Sequence, residues 1–277
     1  MSDKIRVEDL GVLNGRILVF GGVYSNLQAL ETLIKIAEEL NIPPSNIICT
    51  GDIVGYCAQP EECVQRIRHW GIHNIAGNVE IQLRNREDDC GCNFNEGSTC
   101  DTLSRKWYPF AQSQLSEDSL EWMMQLPHHL QFKYGSKRVY VLHGSYVNPS
   151  EFVFRSTPWD KKRAQFQETH ADIILAGHCG LPFYQEAGEQ LWLNAGVVGM
   201  PANDGTSRVW YAILDIQENG FVFQHRSFEY DHESAAKLME QHKLPREYSK
   251  TLGTGIWDNC DILPEEETAK QGKRIVF

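Results

Sequence analysis

The chain has 277 residues, of which 42% are hydrophobic and 23% charged, a composition typical of a globular protein with a sizeable core. Its formal net charge of −11 argues against general nucleic-acid binding, because duplex affinity comes mainly from Lys and Arg side chains that neutralise phosphates. No long apolar run suits a membrane span, and residues 1–10 lack the apolar stretch of a signal peptide. We therefore expect a cytoplasmic protein that binds no membrane.

Five short apolar runs end abruptly in a glycine and a polar residue or second glycine. They cover residues 16–20, 46–50, 73–76, 138–142 and 172–176. Their length and their content of Ile, Val and Leu predict buried strands.

Helical patterns separate several of these strands. Residues 26–40 carry apolar side chains at a 3.6-residue spacing, and Ser25 or Asn26 is the expected cap. Residues 60–70 open with Pro60 followed by two glutamates, a helix start signal. Strands that alternate with helices indicate an α/β fold.

The remaining segments are less regular. Residues 84–106 are polar and have no clean period, so we predict a long loop that lies over the functional site. Strand-like runs at 190–194, 209–215 and 221–227 indicate a set of antiparallel strands. Residues 228–277 are expected to form a helix at 233–241 and an irregular acidic tail. We interpret the chain as one domain over residues 1–277, with a core at about 14–230.

Four polar side chains follow the predicted strands: Asp52, Asn78, His143 and His178. Ligands of α/β sheets bind at the carboxyl ends of strands, so we expect these residues to meet at one edge. Each one alone has an ordinary explanation as a turn former, helix cap or hydrogen-bonded histidine. Together they predict a shared metal site, whose mixed nitrogen and oxygen donors suit Mn, Fe, Ni or Zn better than Ca or Mg.

The same segments resemble the five signature blocks of calcineurin-like metallophosphoesterases. The matching blocks are GGVYSN (21–26), GDIVGY (51–56), GNVE (77–80), HGS (143–145) and GHCG (177–180). NAGVVGMPANDGT (194–206) further resembles bacterial single-domain members. The resemblance implies a four-layer α/β/β/α sandwich of two mixed sheets flanked by helices.

In that family two metal ions share a bridging aspartate and together hydrolyse a phosphoric ester. The resemblance assigns Asp52 to the bridging position, and Asn78, His143 and His178 to the second metal. It also implies catalytic roles for Asp52 and Asn78, which would orient a water molecule or a phosphoryl oxygen.

The other half of the family's site is altered. Gly22 and Tyr24 stand where the family has an aspartate and a histidine, and Gly180 stands where it has a second histidine. Val79 stands where a histidine protonates the leaving oxygen. We therefore expect one ion rather than two, and weakened two-metal chemistry.

Several residues are candidates to replace the missing ligands. Cys179 lies inside the last histidine block, and Glu80 follows the GN pair. Thiolates or carboxylates near the site are further candidates, namely Cys57, Cys90, Cys92, Cys100, Asp88 and Asp89. The alternative is that the cysteines are buried thiols, the usual state in a reducing compartment, and that the acidic side chains are solvated.

Two functions remain open at this point. The first is a metal-dependent phosphoric ester hydrolase with an altered, single-metal site that acts on a small phosphorylated molecule. The second is a catalytically weak or inactive metal-containing module that binds a phosphorylated ligand; a scaffold without metal is a third. No feature of the sequence predicts an oligomer.

Overall fold

The computed structural model describes residues 5–92, 94–218 and 220–277. The strands in these ranges are β1 (Val7–Leu13), β2 (Ile17–Phe20), β3 (Ile47–Cys49), β4 (His73–Asn74), β5 (His129–Tyr134), β6 (Lys137–Leu142), β7 (Ile173–Ala176), β8 (Phe183–Ala187), β9 (Gln190–Asn194), β10 (Val209–Gln217) and β11 (Gly220–Phe228). The helices are α1 (Leu27–Glu39), α2 (Pro60–Trp70), α3 (Asn78–Asn85), α4 (Thr99–Gln114), α5 (Glu117–Gln125), α6 (Trp159–Thr169), α7 (His232–Gln241), α8 (Arg246–Thr254) and α9 (Glu265–Thr268), with one 3₁₀ turn at Pro44–Asn46.

The strands form two mixed sheets. The first sheet has the order β11-β10-β2-β3-β4, and the second has the order β1-β5-β6-β7-β9-β8. Strands β2, β3 and β4 run parallel to one another in the first sheet, as do β6, β7 and β9 in the second. Parallel strands present their carboxyl ends at a common edge, and these ends carry the candidate site.

Successive side chains along a strand point to opposite faces of its sheet, and this alternation separates the apolar layers of the fold. Ile17 and Val19 of β2 face the apolar space between the two sheets, where they join Val139 and Val141 of β6. The intervening Leu18 and its neighbours on that face pack against helices of the first sheet's outer side. A third cluster, which includes Phe166 of α6, covers the outer face of the second sheet. Full burial of such side chains stabilises the fold by about 1.5–3 kcal/mol each, which explains why both faces of the central strands are apolar.

The predicted fold class is confirmed: the chain is a mixed α/β protein of two mixed sheets flanked by helices. The helices predicted at 26–40 and 60–70 correspond to α1 and α2. Asn26 caps α1, because its Oδ1 accepts a hydrogen bond from Ala29 N at 3.2 Å.

The predicted strands are divided between the sheets as the resemblance implied, with β2, β3 and β4 in the first sheet and β6 and β7 in the second. Two expectations need correction. The run at 190–194 is β9 and pairs in parallel with β7, so it is not part of an antiparallel set with β10 and β11. The tail contains two helices, α8 and α9, beyond the predicted one.

The predicted loop at 84–106 is also shorter than expected. Helix α3 extends to Asn85, and α4 begins at Thr99 with its first turn capped by Ser98. The polar composition of α4 and its internal Pro109 hide a helical period from the sequence. No helix in the described ranges is both long and apolar enough to cross a membrane.

Candidate metal centre

The four predicted residues meet at the junction of the two sheets. Asp52 lies just beyond β3, and Asn78 is the first residue of α3, which follows β4. His143 directly follows β6, and His178 follows β7. All four are buried, with at most 8% of their surface exposed.

His143 lies at the centre of the group. Its Nε2 is 3.2 Å from Asp52 Oδ2, 3.1 Å from Asn78 Oδ1 and 3.2 Å from His178 Nδ1. Asp52, His143 and His178 together offer ligand atoms that lie within 4.8 Å of one another. The structure therefore brings together every residue that the strand ends predicted.

Hydrogen bonds to residues outside the group orient the lone pairs of His143 and Asn78 toward its centre. His143 Nδ1 is 2.6 Å from the carbonyl oxygen of Thr50, which can only accept, so Nδ1 carries a proton and the neutral ring presents a lone pair at Nε2. The Asn78 amide nitrogen donates to Cys90 O at 2.8 Å and to Cys92 Sγ at 3.3 Å, which leaves its oxygen facing His143. Asp52 Oδ2, Asn78 Oδ1, His143 Nε2 and His178 Nδ1 thus converge in a buried space and can all present lone pairs when both imidazoles are neutral, an arrangement that fits a cation.

The pKa shifts of the clustered side chains also favour a bound cation. Burial raises the pKa of Asp52, but the neighbouring imidazole of His143 lowers it further, so that its pKa lies below the usual range. Burial opposes protonation of His143 as well, yet the Asp52 carboxylate raises the pKa of His143. Burial, together with His143, lowers the pKa of His178 to about 3. The buried Asp52 carboxylate faces the His143 imidazole, which can hold a compensating proton. A bound metal ion would supply the positive charge in place of that proton.

The glycines before the polar residues are required by close packing. A Cβ atom on Gly77 would lie 2.1 Å from Asp52 Oδ1, and one on Gly51 would lie 2.8 Å from His143 Nδ1. Asp52 and His178 themselves adopt left-handed backbone conformations, each with φ of 59°. Such conformations cost about 1–3 kcal/mol outside glycine, and here they turn the chain sharply so that both side chains point into the cluster.

Glu80 supports the cluster from behind. Its Oε2 accepts from the backbone nitrogens of Asp52 and Gly77 at 2.8 and 2.9 Å, and its Oε1 accepts from Val54 N at 3.1 Å. Burial and the charge of Asp52 raise the pKa of Glu80 to about 7. Both oxygens are engaged with the backbone around Asp52, and the role of Glu80 as a replacement ligand stays a prediction.

The cysteines are not part of the ligand group either. Cys179 Sγ contacts Leu181 O and accepts from Asn194 Nδ2 at 3.3 Å, while burial raises the pKa of the thiol to about 12. Cys57 is likewise buried, with its sulfur against Gly199 O. These two residues fit the interpretation as buried thiols.

The predicted loop contributes in a different way. Cys90 and Cys92 form a disulfide, so the expectation of a thiol fails for this pair. Cys92 touches the cluster only through Asn78, and Cys100 Sγ bonds Asn259 Oδ1 at 3.2 Å. Asp88 and Asp89 are exposed and lie outside the ligand group.

Tyr24 occupies the space beside Gly22. A Cβ atom on Gly22 would lie 2.4–2.8 Å from three carbons of the Tyr24 ring, and the ring packs edge-on against Tyr56 at 4.8 Å. Burial raises the pKa of Tyr24 well above its usual value, so the hydroxyl keeps its proton. Within the part of the chain that the structure describes, that hydroxyl makes no hydrogen bond, although the ring lines the cavity that also exposes Asp52.

The other altered positions carry no polar group. Gly180 adopts a left-handed conformation with φ of 75°, and a Cβ atom there would touch the ring of Trp257 at 3.5 Å. Val79 is buried in an apolar cluster, and only its backbone N–H reaches Asp52.

The sequence missed several neighbours of the site. The ring of Phe152 packs on His178 with centroids 4.2 Å apart, and Trp257 and Tyr248 line the same cavity. These residues lie in irregular or unpredicted segments, so no local pattern could indicate them. The sequence placed Thr50 in a strand. The role of its carbonyl oxygen as the acceptor for His143 Nδ1 could not be predicted, because His143 lies 93 residues away.

Comparisons with known proteins agree with this fold. Residues 16–219 match the family model described as the calcineurin-like phosphoesterase superfamily domain. An uncharacterized protein of Methanocaldococcus jannaschii, MJ0912, is 24% identical over 261 residues, covering 88% of this chain and 100% of that protein.

Two crystal structures are similar throughout. A metallophosphoesterase from Sphaerobacter thermophilus has a TM-score of 0.68 and 24% identity, over 88% of this chain and 100% of its own. The hypothetical protein PH1004 from Pyrococcus horikoshii OT3 has a TM-score of 0.72 and 21% identity, over 87% of this chain and 99% of its own.

The convergence of lone pairs predicts metal binding that depends on His178. Protein purified and loaded with Mn or Zn should retain about one ion per chain by elemental analysis. His178→Ala should lose most of this metal, because even the loss of an outer-shell partner weakens metal affinity by about 10–100-fold. His69→Ala, on the exposed end of α2, is the control and should bind like the wild type. Equal metal content in His178→Ala would contradict the assignment.

The packing of Tyr24 on Gly22 predicts a stability coupling. Gly22→Ala should lower the free energy of unfolding by about 1–3 kcal/mol, because the new methyl group overlaps the Tyr24 ring. In a Tyr24→Ala background the same change should cost less than about 0.5 kcal/mol. Urea unfolding of the four proteins measures the coupling, with Gly253→Ala in α8 as a glycine control whose Cβ has room. An identical cost of Gly22→Ala in both backgrounds would rule out the contact.

Proposed function

Because the chain belongs to the calcineurin-like phosphoesterase superfamily, we propose that it is a hydrolase of phosphoric esters that works with a single transition-metal ion. The ion, which would be Mn, Fe, Zn or Ni, is held by Asp52, Asn78, His143 and His178. The observation that carries this proposal is that Asp52 Oδ2, Asn78 Oδ1 and His178 Nδ1 all lie within 3.2 Å of His143 Nε2 in a buried space. The substrate is a small phosphorylated molecule.

The count of one ion follows from the surroundings of Gly22. Neither Gly22 nor Gly180 offers a donor atom, and the ring of Tyr24 fills the volume into which a side chain at position 22 would project. A protonated phenol is a weak ligand, and burial disfavours its ionisation. A second ion beside Asp52 would therefore have Asp52 as a ligand but no donor atom from the side chain of residue 22 or 180.

Residues around the proposed metal ion have separate roles in the reaction. A bound metal ion supplies Lewis-acid stabilisation of charge on a phosphoryl oxygen. Thr50 holds the tautomer of His143, and Glu80 holds the backbone that carries Asp52. Tyr24 lines the same cavity as Asp52, and its hydroxyl, which has no hydrogen-bond partner among the described residues, can donate to a phosphate oxygen in place of part of the missing positive charge.

The absence of a proton donor limits the reaction. Val79 occupies the position of the family's leaving-group acid, and general acid catalysis contributes about 10²–10⁴-fold where it is present. We therefore expect slow turnover that depends on an ester whose oxygen leaves readily without protonation.

A second candidate function has its own support. A module that binds a phosphorylated ligand through the same metal, without cleaving it, needs the four ligands but neither a second ion nor a general acid. The glycines at positions 22 and 180 and the valine at position 79 favour that candidate.

Metal-dependent turnover decides between these two functions. Protein loaded with Mn should hydrolyse 4-nitrophenyl phosphate, and Asp52→Asn should lower kcat/KM by about 100-fold or more, since several kcal/mol of charge stabilisation are lost. Asp160→Asn removes an exposed carboxylate of α6 and should leave the rate unchanged. Phosphate that stabilises the metal-loaded protein without any turnover would favour the binding module. Turnover that Asp52→Asn does not affect would contradict both.

A further inference from the structure

The candidate metal centre opens into a narrow cavity of about 80 Å³. Asp52 and His178 are among its lining residues, so a phosphate held at the cluster borders this space. An apolar cavity of roughly 150 Å³ encloses a whole benzene molecule, so this smaller space encloses at most part of one ring and has no room for a dinucleotide.

The wall of the cavity is aromatic. Its ring-bearing residues are Tyr24, Tyr56, Phe94, Phe152, Tyr248 and Trp257. They come from separated parts of the chain: Tyr56 packs edge to face on Tyr24 with centroids 4.8 Å apart, and it lies 4.7 Å from Tyr248 with the rings tilted by 56°. Such rings lose little entropy on binding and favour another flat ring at an angle to them.

The wall also lacks positive charge. No Lys or Arg of the described chain lines the cavity, and its charged residues are the acids Asp52 and Asp258. A ligand with further phosphates would bury negative charge against carboxylates without a partner, which is strongly unfavourable. An uncharged organic group meets no such penalty.

The cavity wall is held in place from outside. Trp257 donates its ring N–H to Pro201 O at 2.7 Å and its backbone N–H to Asn203 Oδ1 at 2.8 Å. The segment after α8 is joined to the start of α4 by the bond from Thr99 N to Asp261 Oδ2 at 2.8 Å. The rings are therefore positioned before any ligand arrives, which lowers the cost of binding.

From these observations we infer that the cavity binds the aromatic group of an aryl phosphate monoester and disfavours esters that carry more than one phosphate. The inference rests on the proposed function for the position of the phosphate. It agrees with Val79, because an aryl oxide leaves without the proton that an alkoxide needs.

Binding of phosphonates, which cannot be hydrolysed, tests the inference apart from catalysis. Calorimetry on Mn-loaded protein should show phenylphosphonate binding at least about tenfold more tightly than methylphosphonate, because the phenyl ring is removed from water. Tyr248→Ala should reduce this ratio several-fold, while Tyr248→Phe, which keeps the ring, should preserve it. Adenosine triphosphate should compete poorly with phenylphosphonate.

The outcomes separate the inference from the proposed function. Equal affinity for the two phosphonates, a ratio unchanged by Tyr248→Ala, or strong competition by adenosine triphosphate would each overturn the inference. Selective phenylphosphonate binding without hydrolysis of phenyl phosphate would support the cavity's ligand class and reject the hydrolase. Hydrolysis of phenyl and methyl phosphates with equal KM would support the hydrolase and reject the aromatic subsite.

Discussion

A buried carboxylate that requires a positive partner is the constraint on which this site depends. Asp52 is buried, and its Oδ2 lies 3.2 Å from His143 Nε2, which in turn contacts the amide oxygen of Asn78 and the Nδ1 of His178. The Val79 N–H donates to its other oxygen, whereas the Asn78 amide group is directed toward Cys90 and His143 Nδ1 toward Thr50. Since an uncompensated buried charge costs several kcal/mol, the fold is built around a cation or the proton that replaces it.

The altered half of the site is a packed structure rather than a simple loss of ligands. The Tyr24 ring lies where a side chain on residue 22 would project, so the glycine and the tyrosine depend on each other. The same ring forms the inner wall of the aromatic cavity. The proposed single-ion centre and the proposed site for an uncharged organic group therefore both depend on the position of this ring.

The sequence could predict the four converging residues because each lies directly after a short apolar strand, with a glycine where the next backbone or side chain approaches closely. Helices α1 and α2 were equally visible from their period and caps. The division of the strands between two sheets came only from family resemblance, since a local pattern does not tell which strands pair. The contacts of Glu80 could not be predicted, because its three backbone partners depend on the folded turn around Asp52. Trp257 reaches the cavity from a tail without period, so sequence reasoning had no signal for it.

The central claim is that one ion sits among Asp52, Asn78, His143 and His178 and that Tyr24 takes the place of another. Anomalous diffraction from crystals grown with Mn or Zn, measured at the absorption edge of the metal, tests this directly. We predict one strong peak within bonding distance of all four side chains and none between Asp52 and Gly22. Two peaks that share Asp52, or a single peak away from His143 and His178, would contradict the account.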